Sequence, residues 1–182
     1  YNIICKFRGV AMRLDISRVL THDNYTLEFD CSEDFSARET ADGSRPFAAV
    51  RVYGTVRMRY DGVRLQAAIE APCTAPCSRC LEPVRFLLEE ILTAYVAESG
   101  EAPDDDGDKL ILPLKNGRYV ELSEPVYDAL LFAYPSKVLC SDDCKGLCPV
   151  CGADKNVTNC SCELNTDNPF SILRKLDLPE EV

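Results

Sequence analysis

The sequence is short of the residues on which most catalytic sites are built. It has one histidine, His22, among 182 residues. A lone histidine with no named partner is a poor basis for acid–base chemistry, and His22 is expected in a solvated loop. No pair of carboxylates sits in a frame that suggests a general acid and base. No run approaches the ~20 apolar residues of a membrane span. Residues 1–11 are too short and too oddly composed for a secretory leader. Basic residues are a minority, 20 against 30 acidic, giving a net charge of −10. That balance disfavours indiscriminate binding to nucleic acid and suits a basic partner protein, though local basic patches are compatible with it. Internal repeats are also missing.

Cysteine, by contrast, is abundant: there are eleven. Without an export leader, such clusters are metal ligands more often than disulfides, and an odd count leaves a thiol over in any disulfide scheme. Eight of them form four close pairs: Cys77/Cys80, Cys140/Cys144, Cys148/Cys151 and Cys160/Cys162. Eight sulfurs are the donor set of two tetrahedral four-cysteine sites, and Cys-x-x-Cys lets one turn offer two thiolates to one ion. Joining Cys140/Cys144 to Cys148/Cys151 leaves only Lys145-Gly146-Leu147 to wrap an ion. Joining Cys148/Cys151 to Cys160/Cys162, and Cys77/Cys80 to Cys140/Cys144, is favoured because a loop of eight residues closes a compact ring at low entropic cost. Pairing Cys148/Cys151 with Cys77/Cys80 stays open. Four thiolates suit zinc or an iron–sulfur cluster, and Cys-Pro-Val-Cys-Gly is zinc-like. Two zinc ions are therefore expected, and with every ligand supplied by protein their role is structural. Cys5, Cys31 and Cys73 are read as free, Cys73 being a substitute ligand. The acidic stretch Asp104-Asp105-Asp106 lacks the spaced oxygens of a calcium loop and is read as a solvated loop.

The hydrophobic pattern predicts an α+β fold. Tyr25, Leu27 and Phe29 alternate as a strand with an inward face. Residues 47–60 alternate at length, Asp61-Gly62 reads as a two-residue turn, and residues 63–71 alternate again. Val50, Val52, Val56 and Met58 share one face, while Arg51, Tyr53, Thr55, Arg57 and Arg59 share the other. On the return strand Val63, Leu65, Ala67 and Ile69 face inward, with Arg64 and Gln66 outward. Pro72 and Pro76 are expected to break the ladder. Residues 83–97 then resume as a third strand, which completes an antiparallel β-meander with Cys77 and Cys80 in its second connection. Asn116-Gly117 suggests another tight turn. Ser123-Glu-Pro opens an amphipathic helix over residues 124–134, capped by Ser123 and packed on the sheet. Asn168 caps a short C-terminal helix. Residues 1–11 are expected outside the fold, residues 12–139 as the α+β body, and residues 140–182 as a cysteine-rich zinc-binding tail packed on it.

Arg51, Tyr53, Arg57, Arg59 and Arg64 form the best local candidate for RNA contact, since arginines beside an aromatic suit phosphates and bases. A solvated sheet face with no ligand is the competing reading.

Taken in order, these motifs resemble the YceD family of bacterial and plastid proteins. The resemblance rests on Cys77, Arg79, Cys80, Leu81 and Pro83 after a hairpin. It continues through Cys140, Cys144, Gly146, Leu147, Cys148, Pro149, Cys151, Gly152 and Asn156, and closes on Cys160, Cys162 and Pro169. It runs from about Met12 to Leu178. Asn168-Pro169-Phe170 stands where many relatives have Asp-Pro-Arg, and Lys155 replaces a leucine. The resemblance implies a role in accumulation of large-subunit (23S) ribosomal RNA, hence in ribosome biogenesis in the bacterial cytoplasm. It implies no enzymatic activity. The partner would be that RNA or a basic ribosomal protein held without RNA contact.

Overall fold

A computed structural model describes residues 3–5, 12–22, 25–40, 43–60, 62–98 and 110–163. The C-terminal helix expected after Asn168, the Asp104–Asp106 stretch and Asp61 lie outside the described residues. No helix among them is long and apolar enough to cross a membrane.

The described residues of Tyr1–Ala75 and Val84–Ser136 form one compact unit, and those of Pro76–Pro83 and Lys137–Val182 form another. Pro76–Pro83, placed in the body on sequence, thus groups with the cysteine-rich tail.

The first unit is built on a six-stranded sheet with strand order β1-β3-β4-β5-β6-β7. Its centre is β3 (Thr26–Asp34), β4 (Ala49–Arg59), β5 (Gly62–Pro76) and β6 (Pro83–Ala97). These are the long alternating runs, and burial follows the alternation: Val50, Val52, Val56, Val63, Leu65, Ala67 and Ile69 are buried while Arg51, Arg57 and Gln66 are exposed. The sheet is mixed rather than purely antiparallel. β7 (Leu110–Pro113) runs parallel to β6 at one edge, and β1 (Ile3–Cys5) runs parallel to β3 at the other. Part of the stretch expected outside the fold is therefore a strand. β2 (Arg13–Asp15) and β8 (Tyr119–Glu121) make a separate antiparallel pair.

Three local readings need correction. Arg59 pairs with Gly62, so Gly62 belongs to β5 and the β4–β5 connection begins at Tyr60, one residue earlier than expected. β5 runs through Pro72 to Pro76. Its register with β4 ends at Arg51↔Glu70, short of both prolines. Ser123 begins helix α2 (Ser123–Ala133) but does not cap it. Its buried Oγ accepts from the Met12 amide (2.7 Å) and donates to the Glu33 carboxylate (2.5 Å).

One face of the sheet, with Val19 of α1 (Ser17–Thr21) and Val126 and Leu130 of α2, encloses the core. Tyr127 meets Phe35 and Phe47 edge-on, with ring centroids 5.7 and 6.0 Å apart. Gly54 faces this core, and a Cβ there would lie 2.0 Å from the Gln66 carbonyl oxygen. Only glycine permits that approach of β4 to β5.

Candidate metal centres and sheet face

Among its described residues the second unit has little apolar substance and is organised by sulfur. Cys77 and Cys148 each begin the same short loop. The Cys77 amide donates to the Glu82 carbonyl at 2.8 Å and the Leu81 amide to the Cys77 carbonyl at 3.0 Å. In the second loop the Cys148 amide donates to Ala153 and the Gly152 amide to Cys148, both at 2.8 Å. Each loop must turn left-handed at the residue after its second cysteine. Gly152 does so at φ 73°, and Leu81 does so at φ 66° with its side chain exposed. The loops are the knuckle form that turns two sulfurs to one point.

The eight sulfurs gather into two groups, Cys77/Cys80/Cys140/Cys144 and Cys148/Cys151/Cys160/Cys162. This is the grouping that loop length favours. Within each group all sulfurs lie within 4.8 Å of one another. Cys77 and Cys144 are 3.8 Å apart, and Cys80 and Cys140 are 3.6 Å apart. A tetrahedron with metal–sulfur bonds of about 2.3 Å has edges of about 3.8 Å, so the first group has the dimensions of a four-thiolate site. Cys31 and Cys73 are buried elsewhere, in the core of the first unit, and belong to neither group. Cys5 carries no described side chain.

Electrostatics in both groups favour a cation. The N–H of Cys80 foremost, then those of Arg79 and Cys140, brings the Cys77 thiol down to about 6 against the opposing effect of burial. The N–H groups of Cys151 and Val150 bring Cys148 to about 6. Other sulfurs move the opposite way. The Glu82 amide lowers Cys80, but burial and the neighbouring sulfurs outweigh it and push it up to about 12. Cys151 and burial push Cys162 up to about 12. Four crowded sulfurs cannot all be thiolates without a positive charge among them, which a divalent ion supplies.

Polar side chains hold the first group in place. Arg79 donates from Nη1 to the carbonyls of Cys144 (2.8 Å) and Asp142 (3.2 Å). Asn156 was legible only as part of the resemblance, yet it ties the two groups together. Its Oδ1 accepts from the Lys145 amide at 2.8 Å, and its Nδ2 donates to Cys144 Sγ at 3.4 Å. Asp154 fixes that amide, accepting from Nδ2 at 2.7 Å. Gly146 sits between the groups at φ 70°, where a Cβ would come within 3.0 Å of the Arg79 carbonyl oxygen.

The candidate RNA face lies on the first unit, and the structure divides it. Arg51 donates to Asp30 (2.8 Å) and Glu70 (3.3 Å) and lies over the Tyr53 ring (4.7 Å). Tyr53 donates to Glu70 at 3.0 Å. That end of the face is internally neutralised. Arg57 and Arg64 stand directly opposite each other across the β4–β5 ladder, and Arg59 is exposed two residues beyond Arg57. His22 lies just after α1, its ring 6.4 Å from that of Tyr25.

The chain was compared with known proteins. The family model described as "Large ribosomal RNA subunit accumulation protein YceD" matches residues 65–177. An uncharacterized protein of Mycobacterium tuberculosis is 33% identical over 92 residues, covering 50% of this chain and 44% of that protein. A Zea mays protein named "Large ribosomal RNA subunit accumulation protein YCED homolog 1, chloroplastic" is 26% identical over 150 residues, covering 66% of this chain and 51% of its own length. The chain thus matches about half the length of these curated relatives. No solved structure matches it significantly. With the family model covering more than half of the sequence, including both cysteine groups and most of β5 through β6 and β7, the chain belongs to the YceD family.

Proposed function

We propose that this protein supports accumulation of large-subunit (23S) ribosomal RNA as a ribosome-assembly factor, and that two zinc ions build its cysteine-rich unit. The observation that carries the reading is the family match over residues 65–177, inside which all eight grouped cysteines fall. Cys77, Cys80, Cys140 and Cys144 would hold one ion, and Cys148, Cys151, Cys160 and Cys162 the other. Each ion, with four protein ligands, would have no open position for substrate, so its role would be structural, in keeping with a non-enzymatic assembly factor. Zinc fits because two knuckle loops aim backbone N–H groups at sulfur. The protein acts in the cytoplasm, where ribosomes assemble.

A second reading rests on a groove of about 450 Å³ lined by Tyr53, Ala68, Glu70, Glu89, Glu90 and Ile91. Its acidic rim and apolar floor suit a basic ribosomal protein bound without RNA contact. Affinity purification of the tagged protein separates the two readings. Nuclease-sensitive recovery of large-subunit over small-subunit RNA is expected for an RNA-directed factor. A salt-sensitive complex with a basic ribosomal protein that survives nuclease would favour the second. Equal recovery of both RNAs, with no such complex, would contradict both.

A further inference from the structure

Four of the described arginines in this acidic protein, Arg38, Arg45, Arg51 and Arg118, are neutralised by a neighbouring acid. The tip of the β4–β5 hairpin departs from that pattern. Among the described residues, no carboxylate pairs with Arg57, Arg59 or Arg64. Arg57 and Arg64 are cross-strand partners, an arrangement in which like charges repel. Arg64 also leaves its buried Nε–H without a hydrogen-bond partner, and its guanidinium lies 5.7 Å from the centroid of the Tyr95 ring. With 30 acids available against 20 bases, a repulsive cluster of three arginines is not how this surface is settled elsewhere. An anion from outside would relieve it.

Aromatic side chains stand beside the cluster. Tyr60 follows Arg59 at the turn and is fully exposed, at 103%. Tyr25 lines a cavity of about 180 Å³ with Thr26, Arg57, Met58 and Arg59. Guanidinium groups for phosphates, next to an open aromatic ring for a base, are the combination by which single-stranded nucleic acid is held. A duplex offers its phosphates but no open base to Tyr60. The geometry points to single-stranded RNA bound at the hairpin tip, with Arg57, Arg59 and Arg64 on phosphates and Tyr60 stacked on a base. Arg51 and Tyr53, bound to Asp30 and Glu70, take no part. This site deepens the ribosomal-RNA reading and rests on it only for the identity of the RNA.

Fluorescence anisotropy tests it with the full-length metal-loaded protein and a labelled single-stranded RNA of about 12 nucleotides, within the 4–16 covered by typical single-strand sites. Loss of two phosphate contacts in Arg57→Glu with Arg59→Glu should weaken binding at least about tenfold and flatten the salt slope by roughly 1.4. Arg57→Glu places opposite charges across the ladder, so the variant should melt no lower than wild type. Tyr60→Ala should weaken binding about tenfold and leave the salt slope unchanged. Arg51→Ala should bind as wild type, and the same RNA in a duplex should bind more weakly. Wild-type affinity in the Arg57/Arg59 variant, or in Tyr60→Ala, would overturn the site. Weakening by Arg51→Ala as great as that in the Arg57/Arg59 variant would also overturn it. If these variants bind normally but cells lacking the protein still lose large-subunit RNA, the site fails and the proposed function stands.

Discussion

Replacing Gly146 by alanine tests how the two metal groups are joined. Gly146 has φ 70°, a left-handed conformation that costs an L-residue roughly 1–2 kcal/mol. Its new Cβ would come within 3.0 Å of the Arg79 carbonyl oxygen and 3.2 Å of the Arg79 Cβ. The carbonyl is backbone and is held by the Leu147 amide at 3.0 Å, so it cannot swing away freely. Overpacking of this kind adds roughly 1–3 kcal/mol. The sum, about 2–4 kcal/mol allowing for partial relaxation, falls on a unit whose folding and metal binding would be one event under the proposed zinc assignment. At 1.4 kcal/mol per tenfold it predicts roughly 30- to 700-fold weaker metal retention. Gly152 provides the control. Its φ is 73°, but a Cβ there meets nothing within 4 Å. Gly152→Ala should cost only the backbone term, roughly 1–2 kcal/mol or about 5- to 30-fold. The assay titrates the zinc-loaded protein with a chelator and reads release with a metal indicator. Equal loss in the two variants, or release from Gly146→Ala at the wild-type chelator concentration, would refute the reasoning.

Three further outcomes follow from named contacts. Metal analysis of purified protein should give two zinc ions per chain, and serine at Cys77 or Cys148 should each remove one; iron or disulfides instead would contradict the assignment. Gly54→Ala should destabilise the first unit by about 3 kcal/mol or more, because the added Cβ would lie 2.0 Å from the Gln66 carbonyl oxygen; a near-wild-type chemical denaturation midpoint would mean that β4 and β5 separate easily. The Arg118 guanidinium, donating to Asp15 at 2.7 Å, leads in holding that carboxyl at about 2 against an ordinary 3.8. The folded pKa is depressed, so the stabilisation is present above about pH 4 and is lost as pH falls towards 2. Asp15→Asn should therefore cost about 1 kcal/mol at pH 7 after discounting for solvent screening, and the gap to wild type should close by about pH 2. A gap independent of pH would show that the ionised carboxylate is not the source of the stabilisation and would refute the assignment.

The parts of this fold legible in the sequence are those governed by local pattern. Alternation over β4, β5 and β6 fixes which side chains are buried, because one face of each strand meets the core. The grouping of cysteines follows from loop length, since only a short ring closes cheaply around one ion. The parallel edge strands were not legible. Ile3–Cys5 and Leu110–Pro113 are too short to show a period, and their partners β3 and β6 lie far off or across a long connection. Ser123 carries a strong capping signature, but Met12 and Glu33 are distant in sequence and take its hydroxyl. Alternation placed Arg51 and Arg57 on one face as equals. Only the register shows that Arg51 stands beside Glu70 while Arg57 stands beside Arg64. Tyr60 was missed because the turn was read one residue late, which left it inside a strand rather than at an exposed tip.

The central claim is that this YceD-family protein sustains large-subunit RNA. Its most direct test is the ratio of large- to small-subunit ribosomal RNA in cells depleted of the protein and then supplied with either wild type or Cys77→Ser with Cys148→Ser. Depletion should lower the ratio, wild type should restore it, and the variant lacking both metal groups should not. An unchanged ratio on depletion would contradict the assigned function, and full rescue by the cysteine variant would contradict the role given to the metal centres.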